Sequence, residues 1–321
     1  MRPTYWYLAR RVGQAFVVIA LAYTLVFFVL NVLPGNPIES QINSPENPIS
    51  AEDAEVLIAY YNLDKSAFEQ FALSVQRLVV HGDLGFSLTS GKSVEHLLFS
   101  ALPSTLKLAS TALLLAIVFA FGIALIAVFA KAARIREAAR AIPAAFLSTP
   151  SFIVGLLLLQ FFAFELGLVS AIRDEGVRSV ILPAIALAIP VSAPIAQVLI
   201  QGLQNASGQP YVDVLRSKGL TENRIIFRHV LGNGSIPTIT IVAITVGELL
   251  AGSVITETVF SRTGIGYLTE QAVRNQDTPV IQAVVILVSV IFVVANLLAD
   301  LAYPLIDPRI SLTPDKKVVT A

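Results

Sequence analysis

The sequence predicts an all-α polytopic membrane protein with six transmembrane helices. Three observations carry that prediction: an apolar composition, six long apolar tracts, and one polar, basic interruption at 211–237. Of the 321 residues, 55% are hydrophobic and 14% charged, with a mean hydropathy of +0.75. Soluble domains carry about 25% charged residues. A helix needs about 20 apolar residues to cross the hydrocarbon core. Tracts of that length run over 12–33, 108–130, 141–164, 179–200, 230–255 and 278–299, and only the fifth contains a charge, Glu248. The first exceeds a signal-peptide core and ends without a small-x-small cleavage site, so it is expected to stay as an anchor.

Charge between the tracts orients them. Arg2, Arg10 and Arg11 precede the first, and Lys131, Arg134, Arg136 and Arg140 crowd the second connection. Arg216, Lys218, Arg224 and Arg228 load the fourth, and Lys316 and Lys317 lie in the tail. The segment 34–104 instead carries Glu39, Glu46, Glu52, Asp53, Glu55, Asp64, Glu69, Asp83 and Glu95 against Lys65, Arg77 and Lys92. Both termini and the 211–237 segment are therefore expected in the cytoplasm. The expected layout is an N-terminal segment with the first helix (1–33), an extracytoplasmic insertion (34–104), a core (105–303) and a cytoplasmic tail (304–321). Net charge is zero and no basic-aromatic patch is present, so nucleic acid is not an expected partner.

The 211–237 interruption reads as a two-helix finger. Pro210 suits a first helical turn, Val212 to Lys218 contain no breaker, and Gly219 stands where a left-handed helix stop is wanted. Thr221 is expected to cap a second, amphipathic helix passing through Ile225, Ile226 and Val230 towards Pro237.

Reactive chemistry is sparse. The chain has no cysteine, which excludes disulfides and thiolate sites, and no metal site is expected from His81, His96 and His229. His81 with Asp83 reads as a solvated loop rather than a ligand pair. No G-x-S-x-G or H-E-x-x-H occurs. Ser90-Gly91-Lys92-Ser93 ends like a phosphate-binding loop, but Phe86 stands where the first glycine belongs and Gly85 is one residue out of register. It reads as a turn. The chain is expected to be non-catalytic and to bind no cofactor itself.

The tracts are uneven. The fourth carries Pro183, Pro190 and Pro194, and the third carries Pro143 and Pro150, the latter just before Phe152. Prolines in spans release carbonyls that neighbours or water must satisfy, so these mark either packing kinks or a pathway lining. Glu248 has two readings as well: a functional group inside the membrane, or a residue near the outer interface or paired with a neighbouring subunit. Gly247, Gly252 and Ser253 favour close packing of the fifth helix.

These residues together resemble the binding-protein-dependent permeases of ABC importers. Ser217-Lys218-Gly219-Leu220, His229-Val230-Leu231-Gly232-Asn233 and Ile236-Pro237 are similar to that family's coupling loop, here 205–235. The dipeptide, oligopeptide and nickel branch is resembled in Tyr7-Leu8-Ala9-Arg10-Arg11, Leu33-Pro34-Gly35-Asn36-Pro37 and Gly82-Asp83-Leu84-Gly85-Phe86-Ser87. Further likenesses are Ser148-Thr149-Pro150-Ser151-Phe152, Glu257-Thr258-Val259-Phe260, Gly264-Ile265-Gly266 and Asp307-Pro308-Arg309-Ile310.

The resemblance implies a bacterial plasma (inner) membrane protein with a five-helix type I importer core behind the first helix, acting with a second homologous permease. Two cytosolic ATP-binding subunits would bind ATP and Mg, and an extracytoplasmic solute-binding protein would deliver the cargo. It implies an ATPase-docking role for Val212, Asp213, Leu215, Arg216, Ser217, Lys218, Gly219, Leu220, His229 and Pro237, with Leu215 and Leu220 as apolar contacts. Pro150, Phe152, Pro190 and Glu248 are the candidates for a pathway or gate. The expected cargo is a short peptide, with a nickel complex, glutathione or another small solute as alternatives. An ion-driven secondary transporter is the alternative class, and a membrane scaffold would leave the finger unexplained.

Overall fold

The computed structural model describes the backbone of residues 2–32, 51–62, 65–168 and 178–306. The motif at Leu33 to Pro37, the acids Glu39, Glu46 and Asp64, the Asp307 to Ile310 motif, Lys316 and Lys317 lie outside the described residues. Those described are helical almost throughout. Helix α1 spans Arg2–Val32, α2 Ala51–Tyr61 and α3 Ala67–Gln76, which runs on into a π-helical turn at Arg77–His81. There follow α4 (Val94–Phe129), α5 (Ala133–Leu147), α6 (Ser151–Leu158, with a π-helical turn Leu159–Glu165) and α7 (Arg178–Ser207). The finger contains α8 (Pro210–Ser217), α9 (Glu222–Ile225), a π-helical turn Ile226–Val230 and α10 (Leu231–Gly234). Helices α11 (Ile236–Val259), α12 (Ile265–Arg274) and α13 (Thr278–Ile306) complete the described chain.

Among the described residues, five helices are long and apolar enough to cross a membrane. The third predicted tract differs from the other five, because α5 and α6 meet at an angle of 99° and make a sixth crossing only as a bent pair. The break falls at Ser148-Thr149-Pro150. Proline disfavours a helical conformation in the residue before it, and Pro150 itself is extended (φ −60°, ψ 138°) where α6 starts. Other limits move as well. Helix α4 starts fourteen residues before the predicted tract and contains Pro103, and α11 starts at Ile236 rather than at 230.

The core lies where α4, α7 and α11 meet. Along α4, Leu108, Ala112, Ala116, Ala120 and Ala124 are fully buried at every fourth residue, one ridge of a helix surface. Ala184 and Ala188 of α7 and Leu249 of α11 pack against it. Small side chains let membrane helices approach closely where no hydrophobic force drives them together. Gly252 serves the same end, since a Cβ there would sit 2.7 Å from Leu187. Gly247 does so against Phe292 of α13, at 2.9 Å.

Helix α1 is peripheral. It leans on α13 and, through Tyr23 and Phe27, on Phe71 of α3, with ring centroids 6.1 and 5.2 Å apart. Helices α2 and α3 belong to the predicted insertion. Ser66 and Glu69 form a capping box at the start of α3. The Arg77 guanidinium lies 4.6 Å from the Tyr60 ring and 5.2 Å from that of Tyr61. Burial would push the Asp83 carboxyl up, but hydrogen bonds from the Tyr60 hydroxyl and the Gly85 amide, with Arg77 and His81 nearby, hold it below the usual range.

The would-be phosphate loop is a tight turn. Ser87 N–H donates to Lys92 O and Gly91 N–H to Ser87 O, at 2.9 and 3.0 Å. The amides of Leu88 and Thr89 point to the Asp277 carboxylate, at 3.1 and 3.4 Å, and the Ser87 hydroxyl donates to it too. An anion supplied by the chain itself therefore fills this turn.

Candidate functional site

The finger's first helix is an eight-residue amphipathic segment with a defined stop. Pro210 occupies its first turn, where its missing N–H costs nothing. At the other end Gly219 N–H donates to Arg216 O (2.9 Å) and Leu220 N–H to Leu215 O (3.2 Å). This pair of bonds is a Schellman stop, which requires a left-handed residue just past the helix. Gly219 has φ +78° and nothing within 4 Å of where its Cβ would be, so backbone conformation rather than crowding demands glycine there. Arg216 then ties the two halves together. It pairs with Glu222 (2.7 Å) across the turn and Asp213 (3.2 Å) within α8. Hydrogen bonds from Arg216 hold the Glu222 carboxyl below its usual range. Thr221 occupies the N-cap position of α9, yet its side chain makes no capping bond.

The apolar side of the finger faces its own chain. Val212, Ile225 and Val230 are buried with Leu199, Leu203 and Ala124, from the adjoining ends of α7 and α4. Leu215 and Leu220 are half-buried against the same cluster. They are the residues expected as apolar contacts for a partner; helical spacing aligns Val212 and Leu215 on one face, and within this chain that face is turned inward. Outward lie Asp213, Val214, Arg216, Ser217, Lys218 and Gly219, and the exposed apolar residues are Val214 (53%) and Phe227 (62%). His229 is half-buried, and Asn233 Nδ2 donates to the His229 carbonyl and to the Tyr211 hydroxyl, at 3.0 and 3.3 Å. Pro237 is exposed in the first turn of α11.

At its root the finger is locked to α7 by two glycines. A Cβ on Gly202 would lie 2.0 Å from Gly234 O, and one on Gly234 would lie 2.9 Å from Gly202 O. Backbone touches backbone there.

The pathway candidates are scattered. Pro150 and Phe152 are exposed at the α5–α6 elbow, Pro190 is half-buried within α7, and Glu248 is exposed midway along α11.

Residues 116–312 match the family model of the binding-protein-dependent transport system inner membrane component. The chain belongs to this permease family. It is 31% identical over 304 residues to the glutathione transport system permease protein GsiC of Escherichia coli (strain CFT073), covering 95% of this chain and 98% of that protein. It is 30% identical over 332 residues to the di/tripeptide transport system permease protein DppB of Pseudomonas aeruginosa (strain UCBPP-PA14), with the same coverage. In fold it is similar to a chain of the inward-facing MetNI methionine ABC transporter, with a TM-score of 0.56 at 16% identity. That match covers 65% of this chain and 96% of the other.

The permease's second constellation lies at the opposite end of α11. Glu257 is fully buried and accepts hydrogen bonds from the Thr105 hydroxyl (2.6 Å) and the Tyr267 amide (3.1 Å). Thr105 Oγ1 in turn accepts from Ile265 N–H at 2.7 Å. Gly264 makes room for this carboxylate, because a Cβ there would lie 2.3 Å from Oε1. Gly266 lets α12 touch the α11 backbone, with Val254 Cα at 2.6 Å from a would-be Cβ. Arg262, also buried, donates to Ser179 of α7 and Ser104 of α4 at 3.3 Å. The Glu257 and Gly264-Ile265-Gly266 motifs are thus two halves of one joint between α4, α7, α11 and α12. Sequence reasoning took Glu248 as the one acid inside a predicted tract and named Glu257 only as part of a motif, without a role as a buried joint. The signal available was the glycine pair seven and nine residues downstream of it.

Proposed function

We propose that this chain is one of two permease subunits of an ATP-driven importer of short peptides, and that 211–237 is where cytosolic ATPases drive it. The carrying observation is the finger's construction: a short helix with a rigid stop, an apolar side anchored to α4 and α7, and a polar side left outward. Peptide cargo is supported by the relatives, whose names state glutathione and di/tripeptides.

The proposed orientation places the finger in the cytoplasm. Lys131, Arg134, Arg136 and Arg140 follow α4 at the end where Phe129 packs near the finger, joining Arg216, Lys218, Arg224 and Arg228 on one side. ATP and Mg are taken to bind the partner subunits, this chain contributing no catalytic group. A second permease would complete the pathway, and an extracytoplasmic binding protein would deliver the peptide near the insertion.

Coupling then requires the finger to contact the ATPase differently in the two states. The outward residues Asp213, Val214, Arg216, Ser217 and Lys218 would make those contacts, with Val212, Leu215 and Leu220 transmitting them inward. The chain has no cysteine, so Val214→Cys offers a unique attachment point for crosslinking to cysteines placed on the ATPase. The expected result is a crosslink whose yield changes when ATP is added to the purified complex. No ATPase copurifying with the chain, and no crosslink from Val214, would defeat the reading.

A further inference from the structure

Helix α11 packs on α7, α12 and α13, yet one stripe of it stays uncovered: Thr240, Ile244, Glu248, Ala251 and Ile255. Their spacing of three and four residues is a single helical face. Glu248 stands halfway along this 24-residue helix. Helix α7 has its own less-covered stripe, in which Pro190 and Pro194 are half-buried and Gln197 and Gln201 exposed. Leu187 meets Gly252, and Gly202 meets Gly234 just before the start of α11, so the two helices run antiparallel and Glu248 lies level with Pro190 and Val191. On each helix the stripe is rotated in the same sense from the residues that face the other. Antiparallel helices wind oppositely when viewed from one end, so both stripes fall on one side of the pair.

That shared face has one charge at its centre. No described residue gives Glu248 a hydrogen bond or an ion pair. A carboxylate facing hydrocarbon at mid-span is expensive, and such residues face water-filled cavities or partners. Gln197 lies on the order of 10 Å from the level of Glu248 along the helix axis. An extended peptide of about three residues covers that distance.

We propose that the α7–α11 face borders the translocation pathway and that Glu248 receives the ammonium group of the cargo. This rests on the peptide-importer reading above. Glutathione and di/tripeptides differ in their side chains but share a primary ammonium, and a charge-assisted N–H···O bond to one carboxylate recognises that group alone. Such a contact selects for a free amine without reading sequence.

The test uses the whole complex with its binding protein, reconstituted in vesicles, and measures uptake of dialanine and of glutathione at low concentration. Uptake is expected to fall about tenfold in Glu248→Gln, the loss of one charge-assisted contact, while Glu248→Asp keeps most of it. Assembly of each variant is checked by copurification of the ATPases. In parallel, Glu248→Cys is expected to react with a water-soluble cationic methanethiosulfonate. Labelling only by a lipid-soluble maleimide would place the residue against lipid, and crosslinking to the second permease without labelling would place it in a packed interface; either overturns the proposal. Wild-type uptake with Glu248→Gln unchanged removes the ammonium assignment alone. A wild-type complex that imports neither peptide removes the peptide reading and the assignment with it.

Discussion

Substituting Gly202 by alanine places a methyl group 2.0 Å from the carbonyl oxygen of Gly234. Carbon and oxygen rarely approach closer than about 3 Å, so α7 and the root of the finger must separate by roughly 1 Å. Backbone lies on both sides of the contact, so no side-chain rotation relieves it. Overpacking of this kind costs about 1–3 kcal/mol, and the separation also loosens the cluster around Val212, Leu203 and Val230. The expected outcome is a complex that assembles and hydrolyses ATP but imports several-fold less peptide per ATP, with melting lowered by a few degrees. Gly232→Ala is the internal control, since nothing lies within 4 Å of its Cβ position. Purified complexes reconstituted in vesicles allow ATPase and uptake to be measured side by side. Wild-type coupling and melting in Gly202→Ala would refute the idea that this contact is a rigid joint.

Other positions separate conformational from packing effects. At Gly219, alanine is expected to cost about 1–2 kcal/mol through its left-handed backbone alone, asparagine less, so uptake should rank glycine, asparagine, alanine. Glu257→Ala strands the Thr105 hydroxyl and the Tyr267 amide in a buried site, and a loss of about 2–4 kcal/mol is expected as lower yield and melting of the complex. The Asp83 carboxyl is held below its usual range in the folded insertion. Its stabilisation is therefore complete above the ordinary carboxylate value and is lost as pH falls through the lowered one. Proteolysis of 55–93 is expected to accelerate only below about pH 4, and Asp83→Asn should weaken that dependence without abolishing it, because bonds from Ser66 also hold Glu69 below its usual range.

What was legible in the sequence depended on how local its cause was. Pro210 and Gly219 act through their own backbones, so their places at the start and stop of α8 followed from residue type. Five of the six apolar tracts contain a spanning helix because length and hydropathy decide that locally. The elbow at Pro150 was visible as a proline but not as a 99° bend, which depends on what α5 and α6 pack against. The contacts of Leu215 and Leu220 with the ends of α4 and α7 are long-range, so no local pattern in the finger showed them. The role of Glu257 was hidden because its partners come from α4 and α12, over 150 residues away in one case. Hydropathy scans register an acid and not the donors that satisfy it.

The finger joint lies at one end of α7, beside the start of α11, and the Glu257 joint lies at the other ends of both helices; the two resist motion differently. Gly202 against Gly234 is steric and tolerates no closer approach, whereas Glu257, Thr105, Arg262 and Ser179 form a polar joint whose bonds can lengthen or exchange. A displacement applied at the finger would therefore not be absorbed at its root. It would travel along α7 and α11 as a tilt, which the softer joint accommodates. Packed elements transmit movement in this way because their interfaces shift between discrete arrangements instead of deforming continuously. Glu248 lies between the joints on the uncovered face, so the proposed tilt would move the proposed ammonium site relative to a second permease. Spin labels at Ala251 and on that partner should then change separation upon ATP addition. The same labels in Gly202→Ala should move less, and an unchanged excursion there would break the link between the finger and the pathway.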